Sequence, residues 1–182
     1  SDYTLFFDGT AETNGQFALL GGGGNDTLKG GALDDALTGG EGNDSLLAGA
    51  GGDLMSGGDG DDYLNGQAGD DQMQGEGGHD ILYGGAGDDL MDGGDGNDVL
   101  YGEAGDDTID GGAGDDVFFA GTGFDSLDGG DSDDVDSLFL ADTPNYANIL
   151  GFDEYGGYDG VTMTTVSDGA AIQGMDSLVG GS

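Results

Sequence analysis

The 182-residue chain contains no cysteine, no tryptophan and no arginine; it has one proline (Pro144), one lysine (Lys29) and one histidine (His79). Each shortage removes a class of function. Without cysteine there is no disulfide framework, no thiolate metal site and no thiol nucleophile. With one cation against 39 acids the formal charge is -38. That excludes the basic footprint of a nucleic-acid binder and any attraction to an anionic membrane surface. No apolar run nears the length of a bilayer span, the longest being pieces such as Val117-Phe118-Phe119-Ala120 and Leu138-Phe139-Leu140-Ala141, so membrane insertion is not expected. What is left is an acidic chain suited to binding cations.

Glycine is what the chain has in excess, with 45 residues, a level at which an aperiodic sequence reads as disordered. This sequence is not aperiodic. From Gly21 it divides into nines (GGGGNDTLK, GGALDDALT, GGEGNDSLL and so on), thirteen units ending at Ser137. The sixth position is aspartate in all thirteen: Asp26, Asp35, Asp44, Asp53, Asp62, Asp71, Asp80, Asp89, Asp98, Asp107, Asp116, Asp125 and Asp134. The eighth is large and apolar in twelve, from Leu28 and Leu37 to Phe118 and Leu127, and fails at Asp136. The first and fourth positions are glycine in eleven units each; Ala48 and Ala120, then Leu33 and Ser132, are the exceptions. A register held over 117 residues excludes disorder as the only state of the chain.

The unit GGxGxDxUx resembles the RTX (repeats-in-toxin, hemolysin-type) calcium-binding repeat, and the resemblance covers residues 21–137. It implies an all-β fold: a right-handed parallel β-roll (β-solenoid), two nonapeptides per coil, each with a six-residue turn and a three-residue strand. It also implies calcium between turns stacked on one edge, held by the sixth-position aspartates and by main-chain carbonyls. We assign the carbonyl role to Gly24, Gly42, Gly51, Gly60, Gly69, Gly78, Gly87, Gly96, Gly105, Gly114 and Gly123. Seven aspartates on one edge and six on the other leave about eleven gaps, hence about eleven Ca2+ sites.

The residue chemistry leads to the same place. Glycines let carbonyls converge without a Cβ in the way, and calcium takes six to eight oxygen ligands at roughly 2.3–2.6 Å. If two units make a coil, aspartates 18 apart lie one strand spacing apart, roughly 4.7–4.9 Å. Without a cation such neighbours repel by about 3–4 kcal/mol per pair at an effective dielectric near 20. Metal binding should therefore be coupled to folding. The calcium loop of an EF-hand has no match here, and collagen is excluded by the period of nine and the lack of proline.

Catalytic residues are not identified, and the chain is not expected to be an enzyme. His79 stands at the fifth position of a unit, where others carry Asn or Asp, and reads as a solvated turn residue. The glutamates Glu12, Glu41, Glu76, Glu103 and Glu154 are scattered and mark no site.

Irregular β caps are expected at both ends: capping strands in 1–20 and a β-rich flanking segment in 138–182. The chain opens Ser-Asp-Tyr without an initiator Met, which points to a piece of a larger parent protein; the tail is alternatively an uncleaved type I secretion signal. The RTX resemblance implies a secreted bacterial protein, extracellular or at the cell surface, whose module leaves unfolded and folds in external calcium. The alternatives are an accessory polysaccharide-binding module of an alginate epimerase-like enzyme and a self-assembling surface unit. With the eighth position inward, the seventh and ninth point out. On one sheet that gathers Leu47, Tyr63, Ile81, Tyr83, Val99, Tyr101, Val117 and Phe119 into an apolar face. Such a face calls for a cover, from the aromatic tail (Phe139, Tyr146, Phe152, Tyr155) or from a protein or glycan partner; local ring pairing is the plainer reading.

Overall fold

In the computed structural model the described residues are 3–130 and 136–140, with the backbone of two further strands at 148–149 and 162–165. They form an all-β parallel solenoid of about seven turns, and no helix occurs among the described residues. Strands β1 (Phe6–Asp8), β2 (Ala18–Gly23) and β3 (Thr27–Lys29) are followed by nine strands of six residues, from β4 (Ala36–Glu41) to β12 (Thr108–Ala113). β13 (Val117–Phe119), β14 (Ser126–Asp128), β15 (Ser137–Leu140), β16 (Asn148–Ile149) and β17 (Thr162–Thr165) complete the order. Odd-numbered strands make one nine-stranded sheet and even-numbered strands an eight-stranded one. Two successive nonapeptides thus contribute one strand to each sheet, and pairing partners are 18 residues apart: Leu28↔Leu46, Leu46↔Leu64, Leu37↔Met55.

Alternation along each strand turns the eighth position inward. The core is two columns of single residues, Leu28, Leu46, Leu64, Leu82, Leu100 and Phe118 facing Leu37, Met55, Met73, Met91, Ile109 and Leu127, all 0–5% exposed. Each such side chain contributes about 1.5–3 kcal/mol by leaving water. Leu138 joins the first column behind Phe118.

Most strands are six residues long rather than the three expected. Positions one to three of the next unit stay in the ladder, as in Gly40↔Gly58 and Glu41↔Asp59, and within these strands the second position takes positive φ without ending the pairing. Three units place a side chain at that point: Gln67, Glu76 and Glu103, at φ 77°, 75° and 70°. The fourth position is stricter. Gly96 sits at φ 144°, and a Cβ there would overlap the Gly78 carbonyl oxygen one coil below. Gly96→Ala should therefore destabilise the roll by at least about 1–3 kcal/mol. Gly77→Ala, whose new Cβ would meet only the Asp59 carboxylate at 3.9 Å, should be nearly neutral. Chemical denaturation in saturating calcium measures both, and equal losses would contradict the geometry.

The first coil is built from a sequence without the repeat. Phe7 pairs with Leu28 and Leu19 with Leu37, each in the eighth-position column, and both pack on the core. On the odd outer face, Tyr83 lies parallel to Tyr101 (centroids 4.4 Å, planes 1° apart) and Tyr101 to Phe119 (4.4 Å, 4°), while Tyr63 tilts against Tyr83. These rings are half-buried where Gln72 and Asp110 on the even sheet are exposed, so ring-on-ring stacking shields much of the face. Among the residues proposed as its cover, Tyr146, Phe152, Tyr155 and the side chain of Phe139 lie outside the described residues.

Candidate metal centre

The sixth-position aspartates stand at the bend before each strand and are buried, none of Asp26 to Asp125 more than 3% exposed. Glycine at the first position makes the room. A Cβ on Gly39, Gly57, Gly75 or Gly93 would land on the Oδ2 of the same unit's aspartate and beside a first-position carbonyl of the next coil. The carboxylates form the two ladders, 18 residues apart, that the repeat implies. Each Oδ1 accepts the backbone N–H of the aspartate one coil earlier: Asp26 N–H to Asp44 at 2.7 Å, Asp44 to Asp62 at 2.7 Å, Asp62 to Asp80 at 2.7 Å and Asp80 to Asp98 at 2.8 Å. The other edge runs Asp35, Asp53, Asp71, Asp89, Asp107, Asp125 at 2.6–3.1 Å.

That bond occupies one oxygen and strands the other. Oδ2 of Asp26, Asp44, Asp53, Asp62, Asp71, Asp80, Asp89, Asp98, Asp107 and Asp125 is buried without a hydrogen-bond partner. Asp35 differs, its Oδ2 accepting the Gly31 N–H at 2.6 Å. A buried anionic oxygen with no partner is costly and needs a compensating charge. The electrostatics say the same. Burial pushes the carboxyls of Asp62, Asp71 and Asp107 up to about 7 and those of Asp80 and Asp89 up to about 6, with neighbouring acids adding to the rise and the backbone hydrogen bond opposing it. Asp44, Asp53, Asp98 and Asp125 are raised for the same leading reason.

The donor set fits calcium. Every available ligand is a hard oxygen, carboxylate or main-chain carbonyl. Among the described residues no three acidic or histidine side chains converge, so carbonyls have to supply the remaining oxygens. The fourth-position carbonyls stack along the axis, Gly42 O at Gly60, Gly60 O at Gly78, Gly69 O at Gly87. First-position carbonyls also lie on this side of the turn, since a Cβ on Gly39 would meet both Asp44 Oδ2 and Gly57 O, and one on Gly57 both Asp62 Oδ2 and Gly75 O.

Both ends of the ladders depart from the nonapeptide count. At the start, Leu5 N–H donates to Asp26 Oδ1 (2.5 Å) and Phe17 N–H to Asp35 Oδ1 (2.6 Å); neither residue carries a carboxylate, so the ladders stop there. At the far end, Asp116 N–H donates to Asp136 Oδ1 (3.0 Å), 20 residues on. Ser137 then pairs with Val117 and Leu138 with Phe118. The thirteenth unit is thus two residues longer than nine, and Asp136, a misfit at the eighth position by counting, occupies the sixth-position place that counting gives to Asp134. Asp134 itself lies outside the described residues.

The family model described as the RTX calcium-binding nonapeptide repeat (4 copies) matches residues 20–55, 56–91, 83–118, 92–127 and 110–135. No curated protein matches the chain.

Proposed function

The chain belongs to the RTX calcium-binding repeat family, and from that premise we propose that it is a non-catalytic folding and binding module of a larger secreted bacterial protein, filled by about eleven calcium ions outside the cell. The observation that carries this reading is the series of stranded, buried Oδ2 atoms, repeated coil after coil. The seven carboxylates Asp26 to Asp136 and the six from Asp35 to Asp125 leave six and five gaps. Eleven divalent ions would lift the formal charge from -38 to about -16, relieving much of the self-repulsion. A chain that cannot fold in calcium-poor cytosol suits export in the unfolded state, the route the family implies.

The sugar-binding alternative draws little support from the outer face. A pyranose stacks on ring faces, and Tyr83, Tyr101 and Phe119 turn theirs towards one another. An anionic glycan would also meet one lysine, Lys29, already 3.8 Å from Asp8. Native mass spectrometry in calcium tests the proposal: about eleven ions should be bound at saturation. A plateau at two or three would contradict it, and an alginate gel-shift with calcium sedimentation would separate the module from its sugar-binding and self-assembling alternatives.

A further inference from the structure

The turns carry a second ladder beside that of the sixth-position carboxylates. At the fifth position, the side chain of one coil accepts the backbone N–H of the fifth residue one coil later. On one edge this runs unbroken from Asn25 to Asp115, through Asn43, Asp61, His79 and Asn97, at 2.8–3.3 Å. His79 takes part as an acceptor: Asn97 N–H donates to its Nδ1 at 2.8 Å, which leaves the ring proton on Nε2. Asn, Asp and His share an acceptor on an atom bonded to Cγ, and that is what the position selects. The direction is opposite to that of the aspartate ladder, whose Oδ1 atoms accept from the coil before. Each turn therefore grips both neighbours.

On the other edge the ladder has one gap. Gly52 N–H donates to Asp34 (3.0 Å), and further on Asp88 donates to Asp70, Asp106 to Asp88 and Phe124 to Asp106 at 2.9–3.0 Å. Gly52 has no side chain to offer the Asp70 N–H, and Asp70 is exposed. The backbone dihedrals there do not require glycine, and a side chain needs the Asp70 carbonyl to give by only a few tenths of an ångström. Gly52 is absent from the positive-φ glycines, and a Cβ on it would meet only the Asp70 carbonyl oxygen, at 3.1 Å.

We propose that the fifth-position side chains are a coil-to-coil latch independent of the metal, and that its open step, between Gly52 and Asp70, is where the folded roll loosens first. The calcium-midpoint part of the test rests on calcium-coupled folding; the amide-exchange part does not. Amide exchange is measured by NMR on the folded chain in saturating calcium, for the wild type, Gly52→Asn and Gly52→Ala. In the wild type, Asp70 N–H should exchange faster than Asp88 and Asp106 N–H. Gly52→Asn should slow Asp70 by about two- to tenfold, the worth of one solvent-exposed hydrogen bond, and lower the calcium midpoint. Gly52→Ala removes the backbone freedom of glycine without supplying an acceptor and should leave Asp70 exchange unchanged. Asn97→Ala should do the reverse and release the Asp115 N–H. Wild-type Asp70 as protected as Asp88, or equal effects of Asn and Ala at position 52, would overturn the latch. An unmoved midpoint with Asp70 protected by Asn would uphold the latch and count against calcium-coupled folding.

Discussion

In excess chelator at neutral pH the chain should give the circular dichroism of a coil, and calcium at roughly 10⁻⁴–10⁻³ M should convert it cooperatively to β structure. The argument is local. Folding without a cation buries a column of carboxylates whose second oxygens have no partner, and the core that must offset this is one residue wide on each sheet. Protons are the other cation the ladders can take. A carboxyl whose pKa is higher in the fold than in the unfolded chain holds its proton more tightly in the fold. Stability from that source is fully present below the ordinary value of 3.8 and is lost as pH rises through about 6–7, where Asp80, Asp89, Asp62, Asp71 and Asp107 titrate in the roll. In chelator, acidification from pH 8 to 4 should thus recover part of the β signal. Between pH 5 and 8 the calcium midpoint should stay nearly flat, because both the unfolded chain and the calcium-filled roll carry ionised aspartates. Magnesium should substitute poorly, since it keeps its waters and demands a tighter octahedron. A native β spectrum in chelator at neutral pH would sink the coupling.

The two columns that define the molecule, aspartate at the sixth position and an apolar residue at the eighth, were legible because each repeats at a fixed interval and each has one physical role. What the sequence hid was whatever kept the role and broke the interval. Phe7 and Leu19 fill eighth-position places, but they stand 12 residues apart instead of nine and the preceding bends hold Leu5 and Phe17 where aspartate belongs. Pairing with β3 and β4 sets their register, and pairing is not written in any motif. The fifth position was hidden differently. Asn, Asp and His look like tolerated polar variation until the acceptor they share is seen facing an N–H one coil away. On the outer face the count of apolar residues left two readings, a cover or ring pairing along the sheet; the parallel rings at 4.4 Å display the pairing, while Tyr146, Phe152 and Tyr155 of the expected cover lie outside the described residues.

The ladder should propagate, so the cost of losing a carboxylate should depend on where it stands. Asp80 accepts the Asp62 N–H and in turn sends its own N–H to Asp98. Asp80→Ala removes an acceptor from a buried donor and leaves two gaps without their shared carboxylate, a loss of about 1–3 kcal/mol from the hydrogen bond alone before the lost calcium is counted. Asp136→Ala also removes a buried acceptor, that of the Asp116 N–H, but it touches only the last gap of its edge. The calcium midpoint should therefore rise most for Asp80→Ala and less for Asp136→Ala. Asp134→Ala separates the two descriptions of the thirteenth unit. Counting in nines makes Asp134 the ligand and Asp136 a misfit; the register of Ser137 on Val117 makes Asp136 the ligand, so Asp134→Ala should be nearly silent. Calcium titrations of the three variants followed by circular dichroism give the ranking directly. A larger shift from Asp134→Ala than from Asp136→Ala would restore the unbroken count, and equal shifts from Asp80→Ala and Asp136→Ala would mean that the sites fill independently instead of as a stacked array.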